Sequence, residues 1–102
     1  METPFQVVNN ETNLQFEVDY AGEKAVLVYR YYKQRNIAFM HTVVPGKLEG
    51  QGIASALAKA AFAFAAEQKK LVMVYCPFVA GYVKKHPEYL PQLDPQYRVG
   101  VS

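Results

Sequence analysis

Polar and apolar residues alternate with a period of two along Leu14-Gln-Phe-Glu-Val-Asp-Tyr20. Leu14, Phe16, Val18 and Tyr20 fall on one side and Gln15, Glu17 and Asp19 on the other, the pattern of a half-buried strand. Ala-Gly-Glu-Lys turns the chain. Ala25–Lys33, rich in β-branched and aromatic residues, predicts a second strand. After the Gln-Arg-Asn turn, Ile37–Val44 is apolar at both parities and predicts a central strand covered on both faces. Pro45 and Gly46 stop it. The period then changes to 3.6. Ile53, Leu57, Ala60, Ala61 and Phe64 share one side of a helix, Ala fills most of the rest, and Glu67–Lys70 closes it. Leu71–Tyr75 is too short for a helix and predicts a buried strand. A helix joins it to Ile37–Val44, so the two should be parallel. Phe78–His86 predicts a second, shorter helix, with Pro77 in its first turn and Pro87 beyond its end, although Gly81 weakens it. Phe5–Val8 is a candidate short strand, and the tail from Pro91 holds a few strand-like residues near Val99. The sum is an α+β chain: an antiparallel meander feeding one strand–helix–strand parallel crossover, then a second helix. The helices should cover both faces, or the lower part, of the sheet.

Composition narrows the classes. A length of 102 residues fits a single domain over 1–102, and 51% hydrophobic residues argue for a packed core rather than disorder. The net charge of +2, with basic residues scattered along the chain, argues against a nucleic-acid partner. Cys76 is the only cysteine, so there is no internal disulfide, and a lone thiol suits a reducing compartment. Two histidines and one cysteine lack the spacing of a zinc site, so no metal is expected. The start, Met-Glu-Thr-Pro-Phe-Gln, has neither the basic residues nor the apolar core of a signal peptide. The most apolar stretch, Ile53–Ala66, is broken by Lys59 and is too short to span a bilayer. The expectation is a cytoplasmic protein without a membrane partner.

Gly46, Gly50 and Gly52 crowd into the seven residues before the long helix. A helix N-terminus has unpaired N–H groups and partial positive charge, and glycines let an anion approach the backbone. Strand, glycine loop and helix give the context such a site needs. The loop has no Gly-Lys-Ser/Thr and no Gly-x-Gly-x-x-Gly, which excludes the two common nucleotide fingerprints. On the residues alone, an anion site and an ordinary turn into a helix stand level.

The segment Gly50-Gln-Gly-Ile-Ala-Ser-Ala-Leu-Ala-Lys-Ala-Ala61 resembles the acetyl-CoA-binding motif of the GNAT acetyltransferase superfamily. There, Gln/Arg-x-x-Gly-x-Gly/Ala joins the fourth strand to the pyrophosphate-binding helix. Gly52 and Ala54 match its last two positions. Glu49 stands where Gln or Arg is usual, and a carboxylate repels a pyrophosphate unless it points away. A shifted register, Lys47-x-x-Gly50-x-Gly52, would supply a cation but moves the helix start. With "HTVVPGKLEGQGIASAL" and "CPFVAGYVKKHPEY", the chain resembles a compact branch of that superfamily lacking the last strands, over roughly Leu14 to Tyr89.

The resemblance implies a minimal GNAT-like fold that binds acetyl-CoA and passes acetyl to an amine, either a small molecule or a protein lysine or N-terminus. The fourth and fifth strands would splay apart, and the pantetheine arm would bond to Met40–Val44 like an added strand. Thr42, Val43 and Val44 would line the acetyl end. Gly50, Gln51, Gly52, Ile53, Ala54 and Ser55 would hold the pyrophosphate. His41 could take the amine proton; the alternative is a core histidine bonded to a carbonyl. Cys76 would sit at the start of the second helix, where thiols are activated; the alternative is a small buried hydrophobe. Tyr82 stands where many members place a tyrosine that protonates the departing CoA thiolate; the alternative is helix packing. His86 suits the helix C-terminus. Lys84 and Lys85 could meet a 3′-phosphate or simply face solvent. Tyr29, Tyr31 and Tyr32 read as sheet packing first and an interface second. The sequence supports direct attack of the amine on the thioester. Two alternatives remain: a CoA-binding or regulatory module with little catalysis, and a protein-interaction domain whose glycine loop is purely structural.

Overall fold

The computed structural model describes residues 5–98. Five strands, β1 (Val8–Asn10), β2 (Gln15–Tyr20), β3 (Glu23–Tyr32), β4 (Asn36–Val43) and β5 (Leu71–Val74), form one sheet in chain order. Neighbours are antiparallel except β4 and β5, which the helix α1 (Ile53–Glu67) joins in parallel. A second helix, α2 (Pro77–Lys85), follows β5. This is the α+β order that the hydrophobic pattern predicts.

Both helices lie on one face of the sheet, not on two. The core cluster collects Phe16, Val18, Leu27, Tyr29, Ile37 and Phe39 from one side of the strands with Leu57, Ala61 and Phe62 of α1 and Val79 and Val83 of α2. Phe62 is the hinge of this packing: its ring meets Phe39 edge-on at 5.2 Å and stacks on Tyr89 at 4.6 Å. On the opposite face Val28, Ala38 and Met73 are shielded by their neighbours but belong to no helix-covered cluster. Glu17 is there too, held by Asn10, Gln15 and Lys24. We call this the bare face.

Three further sequence expectations change. The first strand is Val8–Asn10, not Phe5–Val8; Asn9 bonds the Tyr29 hydroxyl at 2.8 Å, so a polar residue anchors this edge. The tail does not trail away. Two 3-10 segments, Pro87–Gln92 and Pro95–Tyr97, fold it back along β5. Leu93 is fully buried and forms a parallel bridge with Val72, and Asp94 N–H donates to the Val72 carbonyl. The strand-like residues near Val99 lie outside the described residues. The third change concerns β4, which is covered over only half its length.

Candidate functional site

β4 divides at Met40. From Asn36 to Phe39 it pairs with β5 on one side and β3 on the other. Tyr29 lies opposite Phe39 but Val28 lies opposite His41, so Met40 is an extra residue, a β-bulge. Beyond it, β5 has ended: its last bond to β4 runs from Tyr75 N–H to the Phe39 carbonyl at 3.1 Å. Residues 40–43 therefore keep β3 as a partner and have no strand on their other edge. β4 and β5 part there, and the gap opens toward the glycine loop.

The bulge also reverses parity. By simple alternation His41 would share the buried side of Ile37 and Phe39. Instead it is exposed on the bare face, in a row with Val28 and Gln15, while Val43 is 52% exposed beside it. The core-histidine alternative is thereby excluded. Thr42 points to the helix face, where its hydroxyl lies 3.2 Å from the Cys76 thiol. Cys76 is the N-cap residue of α2 and only 2% exposed. His41 and Cys76 thus sit at the same gap but on opposite sides of the sheet.

Past Val44 the chain makes a 3-10 turn at Gly46–Leu48 that buries Leu48 under the sheet, and then reaches Gly50 and Gly52. These two have φ of 82° and 81°, left-handed values that glycine adopts without strain. A Cβ on either would meet nothing within 4 Å, so the loop backbone faces open space. Gly52 is the N-cap of α1 and no side chain caps the helix. The first N–H groups of α1 have no intrahelical acceptor. They border a cavity of about 250 Å³ lined by Val44, Glu49, Gly50, Gly52, Ala54 and Phe78, among others. A second cavity, about 300 Å³, continues between the helices past Ser55, Phe78, Tyr82, Lys85 and His86. Ser55 and Phe78 line both, so together they make one groove along the start of α1.

Of the sequence candidates, Val44, Gly50, Gly52, Ile53, Ala54 and Ser55 come together at this groove, with Gln51 exposed in the same loop. Thr42, Val43, His41 and Cys76 gather at the strand gap. Tyr82 is apart from the gap. It lies six residues along α2 from Cys76, about 9 Å at 1.5 Å per residue, with its ring against Phe62, His86 and Tyr89. Burial, then its bond to Tyr89, push its hydroxyl up to a pKa of about 12. Phe78 escaped the sequence reading; an aromatic residue in the first turn of a helix is a weak signal. Tyr75 and Tyr97 escaped it as well. Their hydroxyls bond at 2.7 Å on the tail side of the gap, a pairing that only the folded-back tail creates.

Comparison with known proteins places the chain in a family. Residues 15–93 match the family model described as GCN5-related N-acetyl-transferase. The chain is 38% identical over 96 residues to Protein NATD1 of Gallus gallus, spanning 90% of this chain and 87% of that protein. It is equally identical to Protein NATD1 of Homo sapiens, and 33% identical over 97 residues to that of Danio rerio. Among solved structures, Ard1 from Thermoplasma volcanium superposes with a TM-score of 0.55 at 21% identity, over 63% of this chain and 45% of that one. That likeness concerns the fold. With the family model covering most of the chain, and relatives of more than 30% identity along nearly all of it, the protein belongs to the GCN5-related N-acetyltransferase family.

Proposed function

We propose that the protein is an acetyl-CoA-dependent N-acetyltransferase that passes acetyl directly to an amine. The observation that carries this reading is the join between the free edge of β4, residues 40–43, and the uncapped N-terminus of α1. A thioester with a long amide-bearing arm fits that join. Its amides would pair with the strand edge as an added strand does. Its pyrophosphate would meet the N–H groups at Gly50–Ser55, in the open space a Cβ on Gly52 would intrude upon. The far end would lie in the second cavity, where Lys85 offers a cation to a phosphate. Tyr82, kept protonated by burial, walls that cavity rather than the thioester. Glu49 lines the groove and makes no ion pair among the described residues.

The two faces then divide the labour. Acetyl-CoA arrives from the helix side and the amine from the bare face, where His41 stands. The amine nitrogen attacks the thioester carbonyl, His41 accepts the proton, and the C–S bond breaks to release CoA. Backbone N–H groups on the free edge of β4 are the donors available to the developing oxyanion. Cys76 is buried and engaged by Thr42 on the other side of the sheet, which favours direct attack over a covalent relay through its thiol.

The test is thermal denaturation with CoA and with acetyl-CoA, followed by thiol release in the presence of a panel of primary amines. Saturable stabilisation is expected, about 2.7 kcal/mol at a hundredfold excess over Kd. No shift with either ligand would sink the assignment. Mixing with acetyl-CoA alone should leave the protein mass unchanged; a rapid stoichiometric adduct on Cys76 would replace direct transfer with the relay.

A further inference from the structure

We propose that the end of the sheet farthest from the glycine loop is a docking surface for single-stranded nucleic acid. The sequence spreads its cations so that no run appears, but the fold collects them. The turn between β3 and β4 carries Lys33 and Arg35, and the turn between α1 and β5 carries Lys69 and Lys70. Two bonds fix these turns against each other: Lys70 Nζ donates to the Gln34 carbonyl at 2.7 Å, and Leu71 N–H to the Arg35 carbonyl at 2.8 Å. Arg30 on β3 and Arg98, which reaches back to the carbonyls of Leu93 and Pro91, complete the group. Six of the eleven lysines and arginines stand at this end against three of the nine acids, Glu11, Glu67 and Asp94. The other described residues hold five cations against five acids. Among the described residues the positive excess thus stands at one end, where it attracts a polyanion.

The aromatic residues decide which polyanion. Tyr31 and Tyr32 end β3, 44% and 50% exposed, and successive strand positions send them to opposite sides of the hairpin. A lysine sits over each ring: Lys70 over Tyr31 and Lys33 over Tyr32, both 5.3 Å from the centroid. Tyr31 also meets the Tyr29 ring edge-on at 5.7 Å, and both Tyr31 and Tyr32 keep about half of their surface open to a partner. Unstacked bases use such faces, and the lysines beside them meet the phosphates. An acidic peptide has no group that needs the rings. A membrane would call for exposed Leu, Ile, Phe or Trp side chains to insert, and none stands among these residues. β4 separates this end from the glycine loop by roughly 20–25 Å, so the surface and the groove can be occupied together.

The test is fluorescence anisotropy of a labelled twenty-nucleotide oligouridine titrated with the full chain at 50 and 200 mM salt. Saturable binding is expected, weakening with salt by about 0.7 log unit per log unit for each phosphate neutralised. The paired substitution Arg35→Glu and Lys69→Glu should weaken binding at least tenfold and lower that slope; Arg35→Gln with Lys69→Gln, gentler to the fold, should do so in part. Tyr31→Leu with Tyr32→Leu should weaken binding severalfold and leave the slope unchanged. Melting curves confirm that each variant is folded. Three results would overturn the proposal: no saturable binding at 50 mM salt, displacement of the RNA by CoA, or tighter binding to polyglutamate or to phosphatidylserine vesicles. None of these depends on whether the chain transfers acetyl.

Discussion

The two halves of β4 have similar sequences and opposite environments. Asn36-Ile-Ala-Phe39 has a strand on each side and helices above, and Ile37, Ala38 and Phe39 are buried. Met40-His-Thr-Val43 has one strand partner, and its side chains alternate between half-buried and exposed. Hydrophobicity does not separate them, since Met40 and Val43 are as apolar as Ala38. Two backbone events do. β5 ends after four residues, and the bulge at Met40 turns the following side chains over. A strand can thus be core at one end and site at the other, and a polar residue set among apolar ones at the site end is better placed to react than to pack.

The largest effect on stability should come from the buried half. Phe39 is fully enclosed and meets Phe62 of α1, so Phe39→Ala should destabilise the fold by about 3–5 kcal/mol. Urea denaturation measures it. A loss below about 1 kcal/mol would mean that the two halves are less different than their burial implies.

Gly52 comes next, because it tests where the open half leads. Its left-handed φ of 81° strains any L side chain, and Gly52→Ala should lower stability by about 1–3 kcal/mol. The new Cβ meets no protein atom, so the fold should otherwise survive. The stabilisation by CoA should vanish all the same, since the Cβ enters the space in which the proposed function puts the pyrophosphate. A full thermal shift with CoA in this variant would detach the groove from the glycine loop.

The sequence disclosed the long elements and hid the places where they break register. Alternation from Leu14 to Tyr20 and the 3.6 period from Ile53 to Phe64 are carried by many residues, and both elements are present. A bulge is one residue and leaves no mark in composition, which is why His41 read as sharing a face with Phe39. The tail was opaque for a similar reason. Leu93 is the one fully buried residue of the described tail, and its bridge to Val72 has no local pattern behind it. The glycine loop was legible as a loop, and on the residues alone its anion-binding reading stood level with an ordinary helix entry until the resemblance tipped it. Cys76 was placed correctly at the start of α2, but its contact with Thr42 joins residues 34 positions apart. The gathering of basic residues at one end was hidden because it depends on two turns bonding to each other.

His41 sharpens the comparison from the exposed side. Removing an exposed side chain should change stability by less than about 0.5 kcal/mol. His41→Ala should bind CoA as the parent does and lower turnover by about 10²–10⁴ if it is the general base. The split between unchanged binding and lost turnover is the informative result. Turnover equal to the parent's would return the proton-accepting role to water.

The smallest effect belongs to Glu17, which shares the bare face with His41 but is tied down rather than free. Hydrogen bonds from Gln15, Asn10 and Lys24 hold its carboxyl below the ordinary value of 4.5. Because the folded value is the lower one, its contribution to stability is fully present above pH 4.5 and is lost as pH falls through the folded value. Lys24 behaves in the opposite sense. Its bonds to Glu17 and Asp19 raise it above 10.5, so its contribution is present below that pH and fades as pH rises through the folded value. Urea midpoints measured from pH 7 down to pH 3 should therefore fall less steeply for Glu17→Gln than for the parent, with the two curves converging at the acid end. The same substitution should flatten the alkaline limb, since Lys24 loses one of its two carboxylates. Parallel curves in acid would mean that the Glu17 carboxylate is solvated like any surface group, and that the bare face has no fixed charge beside the amine's approach.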